Sequence, residues 1–326
     1  MNKIFILGLL IGFSLSMKHP KEDSPYVLKS PNEKVDIDNE SKEVKAEIKP
    51  YKRDELIKLP ESENNVLNIE QSELLQNKFS MDKLKEFSSV NLSYLYFYHY
   101  NCESVNDRDW GCAWRSMQTV LKYQLSLTNQ NKDISFYNLF MKYGDKNNLI
   151  DIFKKMRKDQ DISEIINKLK KKEFSPFEAN SGCAEPFISQ LVLSDFGFDG
   201  ELFLINGYCN LNYAPEEVFA ETIDFNKFKE KLKTHFSQIN PGPIIIDDAY
   251  ISVIIFGVKF NEENKSIELL IMDPHGVEEA EKGLYIIVLN EDGKYLDKIP
   301  NESVLASESV YFSDNKEWMV YIPKTN

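Results

Sequence analysis

Cysteine is scarce in this chain, whose 326 residues include only Cys102, Cys112, Cys183 and Cys209. The four do not form a Cys-x-x-Cys pair, which is the usual spacing of a structural zinc site. Four cysteines in a chain of this length also fall short of the dense framework that a disulfide-stapled domain needs. The composition therefore favours reduced thiols, one of which can be reactive.

Histidine is equally scarce, with His19, His99, His235 and His275 as the full set. A mechanism that needs a histidine base therefore has few candidates. His235 lies in a helical pattern of phenylalanine and leucine, and we predict that it is on the surface. His99 belongs to the aromatic, β-prone segment Tyr94–Tyr100, where a core position is one interpretation.

Positive charge is also in deficit, because 39 Lys and Arg face 52 Asp and Glu and the net charge is −13. A nucleic-acid-binding surface usually carries an excess of basic side chains on one face. The balance of charge therefore argues against a nucleic-acid partner.

Long apolar runs are missing except at the N-terminus. Ile4–Met17 has the length of the apolar part of a signal peptide, so residues 1–17 are predicted to be a signal peptide or an anchor. Residues 18–80 are rich in charged residues, serine and proline, which predicts a disordered linker. Residues 81–326 carry enough apolar and aromatic side chains for one sizeable core, and we predict a single domain there.

The spacing of apolar residues predicts helices in the first part of this domain and strands in the second. The predicted helices are Cys112–Leu125, Phe136–Tyr143, Asp161–Lys172, Glu185–Phe196 and Asp224–Phe236. The predicted strands are Ile244–Ile246, Ile251–Phe260, Ile267–Met272, Leu284–Leu289 and Met319–Ile322. Helices that precede strands in this way predict an α+β fold.

The segment Asp107–Thr119 reads DRDWGCAWRSMQT and places Cys112 at the start of a predicted helix. Gly111 allows a sharp turn and leaves space beside the sulfur. The free N–H groups and the dipole of a helix N-terminus favour the nucleophilic thiolate, and the same groups can hold an oxyanion. The local pattern alone fits an ordinary buried cysteine equally well.

A second pattern, Asp273-Pro274-His275, follows the apolar strand Ile267–Met272. Proline favours an extended conformation in the residue before it, and residues i and i+2 of an extended segment project to one side. Asp273 and His275 are therefore expected to face the same way. Such a pair can fix the tautomer of the imidazole and leave its other nitrogen free to take a thiol proton. A turn in which Asp273 only caps the next segment is the alternative.

Trp-Gly-Cys at a helix start, followed far downstream by Asp-Pro-His, resembles the cysteine proteases specific for the ubiquitin-fold modifier. That family typically reads Asp-Arg-Gly-Trp-Gly-Cys-x-Tyr-Arg-Ser-x-Gln-Thr, which is close to Asp107–Thr119. The resemblance implies a papain-like cysteine protease domain over residues 81–326. In that fold the nucleophile lies at a helix N-terminus and the base and its aspartate lie on the sheet.

The resemblance also implies roles for single residues. Cys112 would be the nucleophile, and Asp273 and His275 would complete the catalytic triad. Tyr100, twelve residues before Cys112, would supply its hydroxyl to the oxyanion, although packing in an aromatic cluster is the plainer interpretation of a tyrosine there. The chemistry needs no metal or organic cofactor, and the implied partners are the ubiquitin-fold modifier and its conjugates.

Several positions depart from the family pattern. Asp109 replaces a glycine and Trp114 replaces a tyrosine. The family's Trp-Ile-Gly segment corresponds to Asn180–Gly182, which lacks the tryptophan. A glycine-rich stretch near the active site corresponds to Asp247–Ala249, whose two carboxylates are expected to alter substrate preference.

The expected function is a thiol peptidase that cleaves after the C-terminal glycine of the ubiquitin-fold modifier, in precursor maturation and in deconjugation from target lysines. An autophagy-type modifier protease and an inactive modifier-binding module are the alternatives. A modifier protease is expected in the cytoplasm, with association at the endoplasmic reticulum membrane through residues 1–17 as a further option. If residues 1–17 are a signal peptide, the secretory pathway is expected instead.

Overall fold

A mixed β-sheet and one buried helix position the candidate site in the computed structural model of this chain. The structure describes residues 66–71, 74–105, 107, 111–156, 186–205, 220–248, 251–275, 283–299 and 318–324. All of them belong to one unit that spans Ile48–Asn326. The predicted N-terminal segment 1–17 lies outside the described residues.

The helices of the described residues lie mainly in the first two thirds of the chain. They are α1 (Leu74–Lys78), α2 (Met81–Lys85), α3 (Cys112–Leu127), α4 (Phe136–Tyr143), α5 (Lys146–Met156), α6 (Pro186–Asp195) and α7 (Phe225–Phe236). The central one is α3, whose Trp114 and Met117 have no exposed surface. It ends where Asn129 takes a left-handed φ of 52° and the N–H of Gln130 returns to the carbonyl of Leu125 at 2.8 Å, a common way to close a helix.

The strands form a two-stranded ribbon and one large sheet. They are β1 (Leu67–Asn68), β2 (Ser88–Ser89), β3 (Tyr96–Phe97), β4 (Gly200–Ile205), β5 (Glu221–Ile223), β6 (Ile244–Asp247), β7 (Ser252–Asn261), β8 (Ser266–Met272), β9 (Leu284–Leu289), β10 (Tyr295–Ile299) and β11 (Trp318–Pro323). The large sheet has the order β10-β9-β8-β7-β6-β11-β4-β5, and β2 adds to β7. Its pairs are antiparallel except for β4 and β5, which are parallel. The α+β prediction is confirmed.

One edge of the sheet gathers the ends of four neighbouring strands. Asp247 pairs with Ser252, and Met272 pairs with both Ile254 and Leu284. The last residues of β6 and β8 therefore lie beside the first residues of β7 and β9. Helix α3 packs against β6 and β7, and the Ser116 hydroxyl donates to the Ser252 carbonyl at 3.2 Å. This contact brings the start of α3 to the same edge of the sheet.

The predicted boundary at residue 80 is wrong for the described part of the linker. β1 pairs with β3, and Ile69, Leu75 and Phe79 are buried in the core. The average composition of residues 18–80 is polar, but a few well-spaced apolar side chains are enough to anchor a segment on a large core. The folded domain therefore begins before residue 81.

Other predicted elements fared differently. The five predicted strands and four of the five predicted helices are confirmed to within two residues, while Asp161–Lys172 lies outside the described residues. His235 was predicted on the surface and is buried, because it lies on the inner face of α7 and its Nε2 contacts the Gly242 carbonyl at 2.6 Å.

Within the part of the chain that the structure describes, helices with the length and apolar character to cross a bilayer are absent.

Candidate active site

Asp273 and His275 form the best-defined pair at the sheet edge. Asp273 follows β8 directly, and its N–H donates to the Gly283 carbonyl at 2.7 Å, so its backbone is held beside the start of β9. Its Oδ1 accepts the backbone N–H of His275 at 3.0 Å and the His275 Nδ1–H at 2.6 Å. The two side chains therefore face the same way, and the contact leaves Nε2 of His275 as the reactive nitrogen.

The electrostatics of this pair favour the ionised forms. Burial acts to raise the pKa of Asp273, but the charge of His275 and the hydrogen bonds to the carboxylate hold that pKa below its usual value. Burial alone would lower the pKa of His275, but Asp273 and contact with the Cys112 sulfur raise it to about 10. His275 is therefore an imidazolium at neutral pH, which suits a thiolate partner.

Cys112 is the first residue of α3 and is 5% exposed. Gly111 precedes it and makes no side-chain hydrogen bond that would cap the helix. Cys102, the other described cysteine, is fully buried, and burial raises the pKa of its thiol to about 12. Only Cys112 among the described cysteines therefore has the surroundings of a nucleophile.

Tyr100 lies near both the Asp273–His275 pair and Cys112. Its N–H donates to the Pro274 carbonyl at 2.9 Å, and its ring meets the His275 ring edge-on with centroids 4.8 Å apart. Its hydroxyl is buried and has no hydrogen-bond partner of normal geometry among the described residues. Burial and the nearby Cys112 sulfur raise the pKa of Tyr100 well above its usual value, so the hydroxyl keeps its proton. A protonated, unpartnered hydroxyl beside the nucleophile is suited to donate to an oxyanion.

Tyr285 is a site residue that the sequence analysis missed. It lies in β9, and its buried hydroxyl donates to Oδ2 of Asp273 at 3.0 Å. The Asp273 carboxylate therefore has both oxygens bonded, one toward His275 and one toward Tyr285. The isolated tyrosine in a strand pattern carried no signal for this contact, because the pairing of β8 with β9 decides which side chain reaches Asp273.

The structure describes only some of the residues that depart from the family pattern. Outside the described residues lie two of these departures, Asp109 and Asn180–Gly182, and also two cysteines, Cys183 and Cys209. Trp114 packs in the core against Phe136 and Phe140.

Asp247 and Asp248, the two carboxylates that replace the family's glycine-rich stretch, lie at the edge of the sheet that carries the candidate site. Asp247 ends β6, and Asp248 accepts the N–H of Ile251 at 2.8 Å, which closes the turn into β7. The Asp248 carboxylate is therefore already hydrogen-bonded to the backbone of the protein.

Together the described residues place a thiol, an imidazolium–carboxylate pair and a phenolic hydroxyl around one helix N-terminus. Such a set supports attack on a carbonyl, protonation of the leaving group and release of the acyl group to water. Groups of three or more side chains that could hold a metal ion are absent from the described residues.

Comparison with known proteins places this arrangement in a family. The model of peptidase family C78 matches residues 85–176 and 200–298, more than half of the chain. The chain belongs to peptidase family C78. The matched residues include Tyr100, Cys112, Asp273 and His275.

Relatives of this C78 chain carry names that refer to one modifier. The Ufm1-specific protease of Caenorhabditis elegans is 24% identical over 199 residues, which are 58% of this chain and 26% of the relative. The probable Ufm1-specific protease 2 of Drosophila melanogaster is 22% identical over 186 residues, which are 57% of this chain and 24% of the relative. The chain thus spans about a quarter of the length of these relatives. The crystal structure of UfSP from C. elegans matches with a TM-score of 0.44 and 16% identity, covering 74% of this chain and 34% of that one.

The raised pKa of His275 generates a pH prediction. The imidazolium is present below its pKa of about 10 and is lost as the pH rises through that value. Replacement of Asp273 by Asn removes the carboxylate charge that raises this pKa, so the alkaline limit of activity should move down toward about 6.5, the ordinary histidine value. The measurement is kcat across the neutral and alkaline range for both proteins. An alkaline limit that stays in place in Asp273→Asn would contradict the assignment.

Tyr285→Phe tests the support of the triad carboxylate. It removes only the donor to Oδ2, so the free energy of unfolding should fall by about 1–3 kcal/mol. The reoriented carboxylate should lower kcat by roughly 10-fold, which corresponds to about 1.4 kcal/mol.

Tyr321→Phe is the matched control. Tyr321 is a buried tyrosine of the same sheet, and its hydroxyl has no hydrogen-bond partner among the described residues. This variant should leave both quantities unchanged. Equal kcat values for Tyr285→Phe and Tyr321→Phe would show that the Tyr285 contact does not support the reaction.

Proposed function

We propose that this protein is a thiol peptidase that cleaves after the C-terminal glycine of a ubiquitin-fold modifier, both in precursor maturation and in deconjugation from lysine side chains. The observation that carries the proposal is the position of Cys112, at the start of a buried helix and in contact with the His275–Asp273 pair. Membership of family C78 supports the reaction class, and the names of the relatives support the substrate.

The geometry supports a two-stage reaction. The Cys112 thiolate attacks the glycine carbonyl, and the C–S bond forms while the carbonyl oxygen becomes an oxyanion. The Tyr100 hydroxyl donates to this oxyanion. His275 then gives its proton to the leaving amine, the C–N bond breaks, and an acyl-enzyme remains. Neutral His275 next takes a proton from water, whose oxygen attacks the acyl group, and collapse of the second oxyanion releases the modifier and the thiolate.

Gly111 does not by itself account for selectivity toward a terminal glycine. Its φ of −85° is accessible to any residue, so the backbone does not require glycine there. A Cβ at this position would lie 2.3 Å from Oδ2 of Asp107, so the contact with Asp107 is what excludes a side chain. Selectivity for a terminal glycine therefore rests on the resemblance.

The substrate is tested with the full chain and three fluorogenic proteins at equal concentration. These are a ubiquitin-fold modifier, ubiquitin and an autophagy-type modifier, each with a cleavable group after its terminal glycine. We expect cleavage of the ubiquitin-fold modifier alone, loss of cleavage in Cys112→Ala, and loss when the terminal glycine of the modifier is replaced by valine. Preference for either of the other two proteins would refute the substrate, and binding without cleavage would favour the inactive module.

Tyr100→Phe tests the oxyanion step. Loss of one oxyanion donor lowers kcat by roughly 10²- to 10³-fold in other enzymes, and we expect a loss in this range with little change in KM. The reason is that the hydroxyl, which lies beside the Cys112 sulfur, gains an acceptor oxygen when the oxyanion forms. An unchanged kcat would assign Tyr100 to core packing.

A further inference from the structure

A fully buried carboxylate, Asp107, connects the segment after Tyr100 to the nucleophile helix. It has no exposed surface, and each of its oxygens accepts from a different part of the chain. Oδ1 accepts the N–H of Asn101 at 2.8 Å, and Oδ2 accepts Nε–H of Arg115 at 2.6 Å. Its backbone carbonyl accepts the N–H of Gly111 at 2.8 Å, one residue before the nucleophile. Asp107 therefore contacts the neighbours of both Tyr100 and Cys112 in the sequence.

Arg115 holds this carboxylate from inside the core. It lies three residues after Cys112 on α3 and is fully buried. Its Nη2 donates to the Cys102 carbonyl at 2.7 Å, and its Nη1 donates to Glu103 at 2.6 Å and to Gln118 at 3.0 Å. We call Glu103, Asp107, Arg115 and Gln118 the Arg115 cluster. The guanidinium donates to three residues between 102 and 107, namely Cys102, Glu103 and Asp107. Movement of this segment would therefore break hydrogen bonds to a charged group.

The backbone of this segment is strained. Asn101, Glu103 and Ser104 have φ values of 62°, 61° and 57°, in the left-handed region that residues with a side chain rarely adopt. Such residues persist only where their surroundings fix them, and they concentrate at functional sites. The Arg115 cluster bonds to the Asn101 N–H and the Cys102 carbonyl and includes Glu103, so it helps to fix this segment.

The strained segment begins directly after Tyr100. The N–H of Tyr100 is held by the Pro274 carbonyl, and the next N–H, that of Asn101, is held by Asp107. These two consecutive bonds fix the backbone of Tyr100 between the His275 segment and the nucleophile helix. Loss of the second bond leaves the Tyr100 backbone with the Pro274 contact and the contact of its carbonyl with His99 Nδ1 at 2.8 Å.

We propose that Asp107 is a positioning residue that acts through Tyr100, holding its hydroxyl where the oxyanion forms above Cys112. This inference rests on the proposed thiol peptidase function. It assigns a role to a residue that does not touch the reacting atoms, and it predicts that the effect of Asp107 disappears when the Tyr100 hydroxyl is absent.

The test is a double-mutant cycle of Asp107→Asn and Tyr100→Phe in the full chain. Asn101 and Arg115 donate to different oxygens of Asp107, and asparagine replaces one of these oxygens by an NH2 group, so one of the two donors would face another donor. In the wild-type background we expect kcat to fall by roughly 10- to 100-fold with KM within about 2-fold, a loss no greater than that of removing the oxyanion donor itself. In the Tyr100→Phe background the same change should cost less than about 3-fold. Equal factors in both backgrounds would overturn the proposal and leave Asp107 with a purely structural role.

A second readout needs no modifier, so it separates this inference from the proposed function. The rate at which iodoacetamide alkylates Cys112 should fall in Tyr100→Phe, because the thiolate loses a neighbouring hydroxyl. Asp107→Asn should lower the rate in the same direction and add less than about 2-fold in the Tyr100→Phe background. If the modifier is not cleaved but this pattern holds, the proposed function fails and the positioning role stands. Independent effects on alkylation overturn the role.

Glu268→Gln is the matched control for the loss of a buried, paired carboxylate. Glu268 bonds to Lys83 at 2.7 Å and Lys259 at 3.0 Å, and it lies on β8 five residues before Asp273, at about 16 Å along the strand. It should lower thermal stability and leave both readouts unchanged.

Should Asp107→Asn fail to fold, Gly111→Ala takes its place in the cycle. Its methyl group would displace the Asp107 carboxylate and leave the charges intact. Coupling to Tyr100 is expected for this variant as well, and additivity overturns the proposal.

Discussion

A guanidinium group without any exposed surface is the constraint on which the nucleophile side of the site depends. The removal of such a charge from water is costly unless carboxylates and further acceptors surround it. Arg115 obtains them from Asp107, Glu103 and a backbone carbonyl, all contributed by the segment that precedes its own helix. That segment must therefore fold back over the start of α3. The position of Tyr100 beside Cys112 follows from this folding back.

The family pattern around the nucleophile acquires a physical meaning from this cluster. One set of contacts within Asp107–Thr119 connects Asp107, Gly111, Arg115 and Gln118. Gly111 has no side chain because the Asp107 carboxylate occupies the space where its Cβ would lie. Several described residues of the motif thus support the position of Cys112, the proposed nucleophile.

Much of the sheet could be predicted from the sequence, because its strands are short apolar runs separated by turn residues. β8, for example, is buried at every position, and the predicted strand Ile267–Met272 differs from it by one residue. The prediction failed where a few apolar side chains dock a polar segment, as for Leu75 and Phe79, and where tertiary packing buries a single polar residue, as for His235. α5 was missed as well, although Leu149 and Phe153 recur at helical spacing within it.

In the candidate site, too, an arrangement of residues close together in the sequence could be predicted, while contacts that depend on distant parts of the chain could not. Asp273 and His275 could be placed on one side of a strand end, because two residues of extended backbone settle that question. The Tyr285 contact and the role of Asp107 depend on strand pairing and on a buried charge. Neither feature is visible in the local pattern, although Asp107 and Arg115 stood in the motif that drew attention to Cys112.

The order in which the site groups lose their protons sets the alkaline limit of the proposed reaction. Tyr100 is a neutral donor, and burial beside the sulfur raises its pKa well above its usual value. His275, which needs its proton for the leaving amine, has a pKa of about 10 because Asp273 and Cys112 stabilise its charge. As the pH rises, the imidazolium is therefore lost before the phenol. Asp273 is the first cause of the rise at His275 and Cys112 is the second, and Tyr285 of β9 bonds to the Asp273 carboxylate, so the sheet and the nucleophile helix both contribute to the alkaline limit of the site.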